Sequence, residues 1–183
     1  MRRVALFDFD GTLVDSDRAL THPFDALGVP EADRPPLGLP LVEACRRAGI
    51  TVEDYLDHYD PSVAQPFSGV PELLAQLDRW GVASNKERAS GLRELERLGW
   101  SPTAAFFSDD FGRKEKELAP LLASLDLEPS DAVYVGDTHH DRACAALVGI
   151  PFAVAGWNLR ARATAERGDT VLDHPRQVLD LLR

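Results

Sequence analysis

The sequence predicts an α/β protein: a parallel β-sheet covered by helices on both faces, with a small helical insertion after the first strand. Three observations carry this expectation. Short apolar runs alternate along the chain with segments of helical period. Four of those runs break off in Asp, Ser or Asn. The stretch from Asp15 to Phe67 abandons the alternation and is crowded with turn-forming residues, among them Pro23, Pro30, Pro35, Pro36 and Pro40.

The elements follow in order. Val4-Ala5-Leu6-Phe7 reads as a strand that ends abruptly at Asp8. Inside the insertion, Leu41, Ala44, Cys45 and Ala48 stripe one helix, which stops at Gly49. Val52, Tyr55, Leu56 and Tyr59 stripe a second, which stops before Pro61. Pro71-Glu72 is a favourable start for a helix bearing Leu73, Leu74 and Leu77. A stubby strand from Trp80 to Ala83 runs into Ser84-Asn85, and Leu92, Leu95 and Leu98 mark the helix after it. Ala104 to Phe107 gives a strand ending at Ser108-Asp109. Leu118, Leu121, Leu122 and Leu125 recur at i, i+3, i+4 and i+7, the stripe of a helix packed on a sheet. Ala132 to Val135 runs into Gly136-Asp137, and Pro151 to Val154 makes a fifth strand. Strands alternating with helices imply a Rossmann-like sheet buried on both faces. The predicted division is a core of residues 1–14 and 68–183, with the insertion spanning 15–67.

Composition narrows the partners. The 183 residues are 44% hydrophobic and 27% charged, ordinary for a globular domain with a proper core. A formal net charge of −10 argues against a nucleic-acid backbone or an anionic membrane surface. Cys45 and Cys144 both lie in apolar helical contexts and read as buried, reduced thiols, and no CxxC or Cys/His spacing suggests zinc. With no apolar stretch of signal-peptide or transmembrane length at the N-terminus, a cytoplasmic protein is expected, as a monomer or small homo-oligomer.

The polar residues at the strand ends point to chemistry. Open α/β sheets bind ligands at the carboxyl edge of their strands, so the fold gathers Asp8, Asp10, Ser84 and Asp137 to one place. Asp8 and Asp10, two apart and followed by Gly11, repel each other unless a cation intervenes. As a catalytic pair the arrangement makes sense: one carboxylate attacks phosphorus while the other moves protons on the ester oxygen and then on water. Ser84-Asn85 alone is more often a helix cap. His139 and His140 are adjacent, so their side chains diverge, and a solvent or substrate-edge position fits them better than metal ligation.

Asp8-Phe9-Asp10-Gly11-Thr12-Leu13-Val14-Asp15-Ser16 resembles the first motif of the haloacid dehalogenase-like superfamily, in its phosphatase branch. Val82-Ala83-Ser84-Asn85-Lys86 resembles the second motif, and Val133-Tyr134-Val135-Gly136-Asp137 with Asp141 resembles the fourth. The insertion sits where that family carries a helical cap, though it is short for the phosphoglycolate-phosphatase-like type. The resemblance implies a phosphatase acting on a small phosphorylated metabolite, with Asp8 as nucleophile, Asp10 as general acid/base and Ser84 on the transferring phosphoryl group. It implies magnesium held by Asp8, the main-chain carbonyl of Asp10, and Asp137, with Asp141 supporting the metal or the lysine. Gly11, Thr12, Asn85 and Lys116 are implied to contact substrate. The family also needs a lysine. Gly112-Arg113-Lys114-Glu115-Lys116-Glu117 offers two without a Lys-Pro-x-Pro pattern, and counting back ungapped from Gly136-Asp137 favours Lys114, with Lys116 the alternative. A phosphomutase sharing the nucleophile, or a homologue that kept the fold and lost turnover, are the rival functions. Dehalogenation is disfavoured because that branch lacks a second aspartate like Asp10.

Overall fold

The computed structural model describes residues 3–163 and 165–183. The predicted parallel sheet is present and has six strands. They are β1 (Val4–Phe7), β4 (Trp80–Ala83), β5 (Ala104–Phe106), β6 (Ala132–Gly136), β7 (Phe152–Val154) and β8 (Thr170–Val171), ordered β5-β4-β1-β6-β7-β8. Each neighbouring pair runs parallel. β8 is too short and polar to have been predicted.

The sheet is buried on both sides, and the alternation along β1 shows how. Ala5 and Phe7 face one core with Leu73, Leu95 and Val178. Val4 and Leu6 face the other with Leu121, Leu125 and Tyr134. Helices α4 (Val70–Leu74), α5 (Arg88–Leu98) and α9 (Val178–Leu181) bring residues to the first, α6 (Ala119–Ser124) and α7 (His139–Val148) to the second. A strand apolar on both faces is stable only in such a three-layer arrangement. α8 (Leu159–Ala163) follows β7.

The chain moves outward from β1 to β4 and β5, then crosses back to β6 on the other side of β1. That reversal opens a crevice at the carboxyl ends of β1, β4 and β6, the usual ligand position in such sheets.

Between residues 15 and 67 the chain leaves the sheet. It forms three helices rather than the two predicted: α1 (Asp17–Ala26), α2 (Leu41–Ala48) and α3 (Val52–His58). α1 was hidden by Pro23, which sits inside the helix and is buried there. Proline removes one N–H from the ladder and usually ends a helix; here the segment continues, and Leu27 N donates to Pro23 O at 3.0 Å. The three helices share a small apolar centre of Phe24, Val29, Cys45 and Tyr55. The two passages into and out of this excursion, β2 (Val14–Asp15) and β3 (Gln65–Pro66), pair antiparallel.

Candidate active site

Asp8 continues β1 by one hydrogen bond, its N–H donating to Val135 O at 2.9 Å. The chain then folds back on itself: the Phe9 carbonyl accepts from Leu13 N and Val14 N, and Gly11 N donates to Val14 O at 2.8 Å. Gly11 has φ +78°, and a Cβ there would lie 2.2 Å from an Asp137 carboxylate oxygen. Only glycine fits this turn without displacing that carboxylate. The loop after β7 fastens it from outside, through Trp157 Nε1 on Thr12 O at 2.9 Å and Asn158 Nδ2 on Gly11 O at 2.8 Å.

The turn carries Asp8 into a buried acidic cluster. Carboxylate oxygens of Asp8, Asp137 and Asp141 lie within 4.8 Å of one another. Asp141 is completely buried because Gly136 leaves room for it: a Cβ on Gly136 would stand 2.5 Å from the Asp141 side chain. One Asp141 oxygen accepts from Asp137 N, Thr138 N and Thr138 Oγ1 at 3.1, 2.9 and 2.6 Å. The other accepts from Tyr134 Oη at 3.2 Å and pairs with Lys116 Nζ. Asp141 therefore ties the lysine and the loop to the acidic cluster.

Lys116 is the lysine at the site. Its Nζ lies 2.7 Å from Asp8 Oδ1, with the side chain 3% exposed. Lys114, which counting back had favoured, is exposed. Residues two apart share a side in an extended chain, so parity cannot separate the two lysines. The separation comes from two successive left-handed residues, Gly112 (φ 66°) and Arg113 (φ 61°), which turn Lys114 outward before the chain enters the core at Lys116 and Leu118. An ungapped count has no means of registering that turn.

Asn85 fixes this loop. Its side-chain oxygen accepts from Lys116 N and its amide donates to Gly38 O, both at 2.8 Å. It lines the cleft over Asp8, but both ends of its amide are engaged within the protein. Ser84 continues β4 by donating its N–H to Phe106 O at 3.0 Å, and lines the cleft beside Asp8 and Asp10. Gly11 and Thr12 lie outside that lining; Thr12 is completely buried, its hydroxyl 3.3 Å from Asp137 Oδ1.

Two contributors escaped the sequence reading. Lys86 Nζ sits 3.1 Å from both Asp10 oxygens, 2.8 Å from Glu94 Oε1 and 2.8 Å from Tyr59 Oη. A signal for this existed. Glu94 falls on the same helical face as Leu95 and Leu98, where an unpaired carboxylate is costly and demands a cation. Arg160 in α8 had no such signal. Its guanidinium bridges Asp137 at 2.8 Å and Asp17 at 3.0 Å.

Burial governs the titration of the cluster. It pushes the Asp8 carboxyl up to about 7, against the opposing pull of Lys116 and with added repulsion from Asp141 and Asp10. Asp137 is raised by burial and then by its neighbours Asp141 and Asp8. Asp141 is buried too, but the Lys116 ammonium and the bonds from Lys116 and Thr138 hold it below the usual carboxylate range. Lys116 stays protonated despite burial, because Asp141 and Asp8 flank it.

Six carboxylates (Asp8, Asp10, Asp17, Glu94, Asp137, Asp141) meet three cations (Lys86, Lys116, Arg160), a formal excess of three negative charges before any anionic substrate arrives. An all-oxygen donor set with excess negative charge fits a hard divalent cation such as magnesium. Asp8, Asp137 and Asp141 form the cluster that could hold it. Asp10 turns its side chain away from the cluster, toward Lys86. His139 is exposed and its ring lies near Arg142 and Glu166, while His140 lies beside the Cys144 thiol, so neither joins the cluster.

Known proteins carry the same architecture. A phosphoglycolate phosphatase of Xylella fastidiosa is 28% identical, over 94% of this chain and 90% of its own length. The tyrosine-protein kinase PtkA of Mycobacterium tuberculosis is 31% identical, over 98% of this chain and 71% of its own. The solved structure of a haloacid dehalogenase-like hydrolase from Bacteroides fragilis superposes with a TM-score of 0.78 at 23% identity, covering 97% of this chain and all of that one. The haloacid dehalogenase-like hydrolase family matches residues 5–155, the stretch that runs from β1 through β7 and carries Asp8, Asp10, Ser84, Lys116, Asp137 and Asp141. The chain belongs to the haloacid dehalogenase-like hydrolases.

Proposed function

We propose that the chain is a magnesium-dependent phosphatase that hydrolyses a small phosphate monoester through an aspartyl-phosphate on Asp8. The observation that carries this reading is the Asp8–Lys116 pair: a buried carboxylate held through one oxygen by a buried ammonium, on the floor of a cleft. Lys116 neutralises charge between the nucleophile and the phosphoryl oxygens, the role first assigned to Lys114. Magnesium bound by Asp8 and Asp137 would screen Asp8 from the phosphate dianion and polarise a phosphoryl oxygen.

An Asp8 oxygen attacks phosphorus and the bond to the ester oxygen breaks, while protonated Asp10 gives its proton to that leaving oxygen. In the second half Asp10, now a carboxylate, takes a proton from water as that water attacks the aspartyl-phosphate. Inorganic phosphate leaves and both carboxyls are restored. Ser84 donates to the phosphoryl group throughout. Residues 15–67 act as a cap that closes over residues 1–14 and 68–183 and excludes water from the first half-reaction.

Among the described residues no helix is long and apolar enough to cross a membrane. The direct test is Asp8→Asn. Phosphate release should vanish with the fold intact, and acid-quenched wild-type protein should carry one phosphoryl group on the peptide containing Asp8. Near-normal turnover in the variant would remove the covalent mechanism.

A further inference from the structure

The cleft above Asp8 opens to solvent, and its two ends differ in chemistry. The floor is polar, with Asp8, Asp10, Ser84 and Lys116. The wall contributed by residues 15–67 is hydrocarbon: Leu20, Leu37, Leu39, Leu41 and Leu56 are each only half-buried, with Phe24 behind them. Five half-buried leucines around one opening leave apolar surface that a ligand can cover.

The charges in the cleft are already committed. Among the described residues lining it, the cations are Lys86 and Lys116. Lys86 is shared by Asp10 and Glu94, and Lys116 by Asp8 and Asp141. The remaining charged lining residue, Glu87, is acidic. The polar tips on the wall are committed as well: Tyr55 Oη donates to Leu20 O at 2.9 Å and Tyr59 Oη to Glu94 at 2.7 Å. Asn85 is engaged at both ends, as described above. A carboxylated leaving group would lose its hydration here and find Glu87 instead of a cation; a polyhydroxylated one would find few free donors.

We propose, building on the phosphatase reading, that the ester cleaved here carries an uncharged, largely apolar alcohol, aryl or branched alkyl, seated against the leucine wall. Burying a ring or branched chain on that wall gains roughly 25 cal/mol per Å² of apolar area removed from water. The phosphate stays on the polar floor. This sets the chain apart from an enzyme for phosphoglycolate, the substrate named for the Xylella fastidiosa relative, whose carboxylate, beside its phosphate, needs a cation of its own.

The test compares butyl phosphate, benzyl phosphate, phosphoglycolate and glucose 6-phosphate with magnesium present, measuring kcat/KM for each. In parallel, calorimetry measures binding of benzylphosphonate and phosphonoacetate, which cannot turn over. The expected result is a benzyl ester preferred about 100-fold over phosphoglycolate, and benzylphosphonate bound more tightly than phosphonoacetate by a similar factor. Comparable or better use of phosphoglycolate or glucose 6-phosphate would overturn the assignment, as would equal binding of the two phosphonates. If no ester turned over while benzylphosphonate kept its advantage, the apolar site would stand and the phosphatase reading would fall. Leu37→Arg places a cation on the wall in a loop, outside the helices. It should cut the benzyl-to-phosphoglycolate ratio at least tenfold, and an unchanged ratio would overturn the role of this wall.

Discussion

Asp10 and Lys86 face each other with the ammonium 3.1 Å from both carboxylate oxygens, and the same ammonium reaches Glu94 and Tyr59. One buried cation thus joins the first strand's loop, the helix after β4 and the helical insertion. Glu94 depends on it most. Its side chain is wholly buried, and one of its oxygens has no hydrogen-bond partner among the described residues. Burial raises the Glu94 carboxyl above its ordinary range while Lys86 pulls it back.

Lys86→Met should therefore destabilise the protein by about 3–5 kcal/mol, because two carboxylates lose their buried partner. Adding Glu94→Leu should recover most of that loss without recovering activity, since Asp10 remains unpartnered. Urea denaturation of the single and double variants checks the first claim and phosphate release the second.

The two lysines of the 112–117 segment should separate cleanly. Lys116→Ala should lower kcat about 100-fold or more, the scale of losing a charge-stabilising donor in the transition state. Lys114→Ala should stay within about twofold of wild type, since that side chain is exposed. Single-turnover phosphate release on both variants decides the ranking, and the reverse order would return the role to Lys114.

Metal dependence has a direct signature. Stripping with a chelator should stop turnover and magnesium should restore it, with no requirement for zinc. Asp137→Asn should weaken magnesium binding about tenfold or more by calorimetry. Arg160→Met should strengthen binding a few-fold, because it removes a cation that sits 2.8 Å from an Asp137 oxygen. A weaker affinity in Arg160→Met would mean that the arginine positions Asp137 rather than competing for it.

Both cysteines should be inert in the native state at pH 8. Burial pushes each thiol up to about 11, so the thiolate is rare and also inaccessible. An acid whose folded pKa is raised favours the native state while it stays protonated, and loses that advantage as pH climbs toward the folded value. Alkylation at rising pH or in mild urea should label Cys45 before Cys144, because Cys45 belongs to the small centre of the insertion and Cys144 to the sheet core. Simultaneous labelling would show that the two parts open as one unit.

Much of this was readable from the chain because parallel strands buried on both faces write themselves as apolar runs. The residues that follow those runs, Asp8, Ser84 and Asp137, are set by the same geometry. What stayed hidden had other causes. α1 was masked by Pro23, whose fit inside a helix depends on its surroundings. Lys116 was obscured by two left-handed residues that redirect the chain over a few positions. Arg160 reaches its carboxylates from another part of the fold, and nothing local in Leu159-Arg160-Ala161-Arg162 marks it. Lys86 was the recoverable one, through the misplaced charge of Glu94 on an apolar face.

The pairing of Val14–Asp15 with Gln65–Pro66 has a consequence for how such a chain can change. Because departure and return lie side by side, the length of everything between them is invisible to the sheet. Residues can be added, lost or exchanged there without shifting β1 or β4 by a single register step, and the cost of closing a longer loop grows only slowly with its length. The hydrolytic floor and the surface that selects what reaches it are thus separable inheritances, joined by two short strands that let one be rewritten while the other is kept.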